Sequence, residues 1–581
     1  MQDSMWDVLV LGGGPAGCFA AIKAREAGAE RVLLVDKGYV GKSGCATFGA
    51  GSFKGFIPQE DDYELWFSKA VEEGYYMNDQ EWIEIHLAEV FHRVKELEKW
   101  GVEFEKNPDG TYRRIEGQGS SEIRPIKTLM FHGPQLMDVL RRVVLNAGVK
   151  ILDKVMVTDL LHDKRERQVI RGALGFHLET GDRYILKARA VVLSTGGQSY
   201  KSHYAYHKMV TGDGHIMGLK AGAELMNYEY TLHHLSYAGF DTTGMNVIQG
   251  LGALFVNRQG EQFMGRYDPE HKDHGSLNRI SAAMAMEVRD GRGPLYMDFS
   301  SYTREDVELF ARVLPILYRA FERGGIIKDG QFVKKKLEWV SVMSGNVGFG
   351  GGLRIDTSCR TTLEGLFAAG DATCGPSAGV EGFCAYAIPF ATTSGARAGH
   401  FAALYARDAI GVAIDEDEVA ALSWHTLAPL RTPAGIEPDH IVLKVQETIF
   451  PMEVYILRHE STLQKALNAI LWLRENELPD VKAYDYHYLR MALEARNMVL
   501  CAEMFLRAAL LRTESRGSHL RLDYPEMNNI DWLKWIVIQE RNGELTFRTE
   551  DIPVERYRLK APPTLVKHPV IAAIENNVRE G

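Results

Sequence analysis

The chain opens on an unbroken apolar run, Val8-Leu9-Val10-Leu11, which predicts a short buried strand. Six small residues follow, Gly12-Gly13-Gly14-Pro15-Ala16-Gly17, and then a stretch from Cys18 to Ala24 that reads as a helix. A second apolar run, Val32 to Val35, ends at Asp36. Strand, G-x-G-x-x-G, helix, strand and acid form the pattern of a dinucleotide-binding unit. Gly12 permits the tight turn, Gly14 lets backbone approach a pyrophosphate, and Gly17 lets the helix pack on the strand. The helix N-terminus then faces the phosphates with the positive end of its dipole. Asp36, nineteen residues after Gly17, stands where a ribose-binding acid belongs.

Further along, the periodicity changes several times. Residues 62–101 read as helices, and 134–147 have apolar residues at helical spacing. Residues 149–152 and 155–157 read as strands, and 169–196 as a small meander ending in Ser194-Thr195-Gly196-Gly197. From about 226 to 352 the texture differs. A hairpin-like 254–260 and helices near 277–289 and 304–322 predict an inserted domain, with Gly345 to Gly352 as the hinge where the chain returns. A strand at 365–369 ends at Gly370-Asp371, and an Ala-rich helix lies within 378–407. Beyond about 411 the pattern is helical, through 440–475 and 486–512. Arg512 to Glu526 reads as a turn-rich connector, and 533–581 as short strands followed by Pro-containing coil.

Composition narrows the class. The 581 residues exceed one core, and the prior is roughly three to four domains. With 45% hydrophobic and 25% charged residues the chain is that of an ordinary soluble protein. No apolar window is long enough to span a bilayer, and the first strand begins too early for a signal peptide, so a cytoplasmic location is expected. A net charge of −10 argues against a nucleic-acid binder. The six cysteines are scattered and none forms C-x-x-C, so no metal ligand set is read and electrons must travel through an organic cofactor.

Gly12 to Gly17 with Asp36, Ser194 to Gly197, Thr211-Gly212-Asp213-Gly214, Gly365 to Asp371 and Arg512 to Glu526 occur in one order. Together they resemble the flavoprotein subunits of the succinate dehydrogenase/fumarate reductase superfamily, which includes L-aspartate oxidase and the adenylylsulfate reductase α subunit. The resemblance covers nearly the whole chain. It implies an α/β fold: a Rossmann-like FAD-binding domain (1–225 and 353–410) interrupted by an α+β capping domain (226–352). A helical domain (411–530) and a C-terminal tail (531–581) follow. It implies FAD held by Gly12, Gly14, Pro15, Ala16, Gly17, Asp36, Lys37, Lys42, Ser43, Gly44, Gly49, Thr195, Gly196, Asp213, Gly370, Asp371, Ala387 and Ile388. Relatives that tether the flavin covalently carry a His where this chain has Gly44, so the FAD is expected to be non-covalent.

The resemblance also sets what a dicarboxylate site should contain, because a dianion needs matched charge and the reacting carbon needs a proton. Glu229 to His234 reproduces the spacing of the substrate His. The proton-shuttle Arg position is Ala282, with Arg279 near but out of register. A second His is missing before Gly351, and a cationic run reads Gly379-Val380-Glu381-Gly382. The expectation is therefore against classical fumarate or succinate chemistry. Adenylylsulfate reductases share Ser43-Gly44, Gly293 to Met297 and Ser344 to Phe349, yet their flavin-facing Asn is Lys54 here and their active-site His is Met343.

The candidate catalytic residues are Lys54, His234, Glu381, Tyr237 and Asn346, with His233, Met343 and Tyr386 nearby in the pattern. A cation such as Lys54 near the flavin would stabilise its anionic reduced form. His233 and His234 are adjacent and face opposite sides, with His234 favoured by register. The leading expectation is a chain that moves a hydride between a small molecule and FAD and exchanges electrons with a ferredoxin-like iron–sulfur partner, through which any membrane association would be peripheral. A stand-alone oxidase of the L-aspartate oxidase kind and a non-catalytic flavin relay are the alternatives.

Overall fold

The computed structural model describes residues 5–580 apart from 50, 117–125, 204–206, 243, 382, 410 and 433. Gly382 of the cationic-run position therefore lies outside the described residues.

The opening pattern folds as its periodicity predicts. Strands β1 (Trp6–Leu11), β2 (Val32–Val35), β3 (Lys150–Leu152), β4 (Val155–His162), β5 (Ile170–His177) and β6 (Arg183–Leu193) build one sheet. β1 pairs in parallel with β2 on one side and β6 on the other, and β3 extends the sheet beyond β2. The continuous apolar runs follow from this topology, because a central parallel strand is covered on both faces. Val8, Leu9 and Val10 are fully buried. Each such side chain contributes about 1.5–3 kcal/mol by leaving water. β4, β5 and β6 form the expected antiparallel meander. Helix α1 (Pro15–Glu26) starts with Pro at its first position, where the missing N–H costs nothing.

The segment between β6 and the return of the chain builds a second sheet. β7 (Leu232–Tyr237) pairs antiparallel with β8 (Lys336–Gly345), and helix α2 (Leu277–Arg289) belongs to the same segment. The strand at Leu254–Val256 pairs with Tyr296–Asp298 instead of closing a hairpin on itself, and Asn257 to Gly260 is only its terminal turn. The predicted helix at 304–322 is broken in two at Leu314-Pro315, where proline restricts the residue before it.

The chain returns through β9 (Leu366–Ala368), parallel to β6, and α3 (Ala387–Asp408), which lies against α1. Gly395 and Gly399 make that crossing close: a Cβ on either would stand 2.3 Å from the carbonyl oxygen of Ala16 and 2.0 Å from that of Ala20, respectively. Helices α4 (Pro438–Ile449), α5 (Glu460–Asn476) and α6 (Tyr486–Leu511) follow.

Two expectations for the C-terminus change. The strand at Lys534–Arg541 pairs with Leu225–Met226, so the tail is stitched to the first half of the chain. The chain also finishes in a helix, Pro569–Glu580, where coil was expected; proline at a first helical position starts a helix.

Candidate active site

One continuous cavity runs from the C-terminal end of β1 to the inserted segment. Sixteen of the expected cofactor residues line it: Gly12, Gly14, Pro15, Ala16, Asp36, Lys37, Ser43, Gly44, Gly49, Thr195, Gly196, Asp213, Gly370, Asp371, Ala387 and Ile388. They come from six separated segments at strand ends and helix starts, where a parallel sheet with a topological switch binds ligands.

The glycine loop is shaped for a ligand. A Cβ on Gly14 meets nothing within 4 Å, so its face of the cavity has room for a phosphate. A Cβ on Gly17 would lie 1.9 Å from the carbonyl oxygen of Gly12; Gly17 stands behind the cavity and sets the helix on the turn. Asp36 accepts from the backbone N–H of Gly13 at 2.7 Å and of Gly38 at 2.6 Å, and from Ser43 Oγ at 3.3 Å. Its carboxylate thus holds the loop as well as facing the cavity. Lys37 donates to Asp213 at 2.7 Å, Thr211 Oγ1 at 3.1 Å and Glu494 at 3.0 Å, tying the cavity wall to α6. Lys42 stands apart: its side chain is 64% exposed and pairs with Asp138.

Two buried polar atoms on this wall, Thr195 Oγ1 and Asp371 Oδ1, have no hydrogen-bond partner within the protein. Burial pushes the Asp371 carboxyl up to about 6. Unsatisfied buried groups cost about 1–3 kcal/mol each, so a ligand bearing hydroxyls or ring nitrogens completes this wall. The N-terminus of α3, at Ala387 and Ile388, faces the same space.

The far wall is supplied by β7 and by the short turn at His207–Met209. His234 lines it from β7, its Nδ1 2.7 Å from Ser344 Oγ. His233 alternates to the opposite side and sits 5.3 Å from the Tyr455 ring. The His207 ring lies 5.9 Å from His234 and also lines the cavity. Sequence reasoning passed over His207, although it stands four residues before the Thr211-Gly212-Asp213 run. Burial pushes His207 down to about 3, and burial with the neighbouring His207 and His233 pushes His234 well below the usual range. Tyr386 is a lining residue as well.

The other candidates stand off the cavity. Lys54 is 1% exposed, donates from Nζ to the Ile126 carbonyl at 2.9 Å, and lies 5.8 Å from the Phe383 ring. Burial lowers its ammonium to about 8. Glu381 is buried among Ser276, Asn278, Arg279 and Tyr75, with its carboxyl raised by desolvation. Asn346 Nδ2 donates to the Tyr230 carbonyl at 2.6 Å, and its backbone exchanges hydrogen bonds with Gln198; it staples the returning chain. Tyr237 packs between Phe240, Phe321 and Trp339. Met343 is buried core.

A dinucleotide cradle facing an imidazole-bearing wall fits a nucleotide-cofactor oxidoreductase. The family model described as FAD binding domain matches residues 7–388, and that described as fumarate reductase flavoprotein C-term matches 444–567. The chain belongs to the fumarate reductase/succinate dehydrogenase flavoprotein family, is an FAD-dependent oxidoreductase by that membership, and has FAD as its cofactor. It is similar to one of the subunits of the fumarate reductase (CoM/CoB) of Methanothermobacter marburgensis, at 28% identity over 92% of this chain and 97% of the relative. In fold it is similar to E. coli quinol fumarate reductase FrdA, with TM-score 0.85 and 23% identity over 97% of this chain and 99% of the other. It is likewise similar to adenylylsulfate reductase of Archaeoglobus fulgidus, with TM-score 0.80 and 23% identity over 94% and 96%. The expected family, fold class and cofactor are thus borne out. Among the described residues no helix is long and apolar enough to cross a membrane.

Proposed function

We propose that the protein moves a hydride between a small molecule and non-covalently held FAD, within an assembly that includes a ferredoxin-like iron–sulfur partner. The observation that carries this reading is the single cavity joining the Gly12–Gly17 loop to the His207–His234 wall. Bound FAD supplies the two-electron acceptor and donor. The chain's own residues do the rest. Gly14 and the α1 N-terminus hold the pyrophosphate, Thr195 and Gly196 the adenine side, and Asp371 a ribityl hydroxyl. The α3 N-terminus stabilises negative charge on the ring edge. His234 meets the substrate. The division at 225/226 and 352/353 falls on the paired strands Leu225–Met226 and Gly352–Leu353, which supports a segment that leaves and re-enters the chain at one place. Gly44 has φ +83 and no side chain to attach a flavin. The Methanothermobacter relative is itself one subunit of an enzyme, which supports an assembly here.

The test is direct. The purified protein is expected to be yellow and to release all its flavin on acid precipitation. Flavin retained in the pellet would overturn non-covalent attachment. Vigorous peroxide production by the chain alone would favour a stand-alone oxidase over a partnered chain.

Asp371 gives a sharper check. In the flavin-free protein its carboxyl is raised above the unfolded value of 3.8 to about 6. The folded state then holds the proton more tightly, so this residue destabilises the fold increasingly as pH rises from about 4 to about 6, and fully above that. Asp371→Asn is expected to raise the melting temperature of flavin-free protein at about pH 8, with the difference vanishing below about pH 4. The same variant is expected to weaken FAD roughly tenfold, by loss of a charge-assisted hydrogen bond. Unchanged FAD affinity by fluorescence titration would remove Asp371 from the ribityl contact.

A further inference from the structure

We propose that the cap end of this cavity takes an uncharged, largely apolar molecule that presents a carbonyl oxygen to His207 and His234; this rests on the flavin-site reading above. The apolar side chains there are Met209, Leu232, Met245, Leu277, Phe349 and Phe383. Such a wall offers a carboxylate nothing in return for the water it leaves, and an unpaired buried charge costs several kcal/mol or more.

The nearby cations are committed elsewhere. Arg279 is two residues beyond Leu277 on α2, but its guanidinium lies 3.4 Å from Asp268 and 2.9 Å from His271 Nδ1, with Glu381 and Glu73 acting on it as well. Lys54 is shut behind the wall: its backbone N–H donates to the Ala385 carbonyl at 3.0 Å and its ammonium faces the Ile126 carbonyl. Lys37, the charged amine that does line the cavity, is held at the dinucleotide end by Asp213 and Glu494.

Two imidazoles 5.9 Å apart also line this end, both disfavoured from carrying charge. A neutral imidazole carries one N–H, which suits a carbonyl or ester oxygen. With one face apolar and a few convergent polar groups, the cap end has the usual make-up of a site for a neutral ligand.

The experiment uses FAD-loaded protein and two compounds with one carbon skeleton, succinate and dimethyl succinate, which differ by two charges. Binding is read from perturbation of the flavin absorbance bands. Dimethyl succinate is expected to saturate with an affinity at least roughly tenfold above that of succinate, equivalent to about 1.4 kcal/mol. His234→Phe is expected to lower ester affinity by a similar factor with flavin content unchanged. Tighter binding of succinate, an absent response to the ester up to its solubility, or undiminished ester binding by His234→Phe would each overturn the assignment and leave the flavin reading standing. Failure of the protein to take up FAD would instead sink the flavin reading itself.

Discussion

Gly14→Val protein is expected to fold with near wild-type stability and to lose FAD affinity by roughly a hundredfold, equivalent to about 2.7 kcal/mol. Gly17→Ala is expected to fail at the level of the fold. The two glycines sit three residues apart in one motif, and the difference is geometric. A side chain on Gly14 enters open cavity, and its backbone (φ −72, ψ −174) suits any residue. The space it fills is the space a pyrophosphate needs. A methyl on Gly17 lands 1.9 Å from the Gly12 carbonyl oxygen and 2.7 Å from Ser194 Oγ, so α1 must lift off β1. Overpacking of this kind costs typically about 1–3 kcal/mol and more where backbone is the obstacle. Flavin-to-protein ratio, FAD titration and thermal melts of flavin-free protein separate the outcomes. A Gly14→Val protein that binds FAD as the wild type does would mean the pyrophosphate lies elsewhere.

What the sequence made legible follows the same line. The dinucleotide cradle is local: turn, helix start and strand-end acid lie close together in the chain, and each is written in residues with few alternatives. β1, α1, β2 and the meander were therefore predictable. The imidazole-bearing wall is not local. His234 was found by spacing, but His207 reaches it from a separate short turn, which no periodicity announces. Lys54 and Glu381 are charged residues in Gly-rich stretches and read as site residues. The fold buries both behind Phe383 and Leu277, because each finds a partner there. Lys42 shares the flavin-side loop with Ser43 and Gly44, but it turns outward to Asp138. Arg512 to Glu526 reads as a connector because its turn residues are visible in sequence, whereas its long-range ion pairs are not.

That segment sets the second large effect. Arg512→Ala is expected to abolish soluble expression or to lower stability by about 3–5 kcal/mol. The guanidinium is completely buried. Its Nε donates to Glu229 at 2.8 Å, Nη1 to Glu514 at 2.9 Å, and Nη2 to the Lys534 carbonyl at 2.6 Å. The Tyr230 and Trp532 rings lie 5.2 and 5.0 Å away. Truncation leaves the Glu229 carboxylate buried without its guanidinium, and that orphaned charge, more than the lost attraction, is what destabilises. Glu229 sits three residues before β7, so the cluster joins three parts of the chain: the strand carrying His234, the end of α6, and the tail strand at Lys534–Arg541. Arg458 extends it, donating to the Glu229 carbonyl at 2.7 Å. Arg512→Lys is expected to recover only part of the stability, since an ammonium cannot reach three partners with a planar fork. Denaturant midpoints rank the three proteins, wild type above Lys above Ala. Equal midpoints for wild type and Ala would mean the cluster is dispensable, and that the cap strand is positioned by β8 alone.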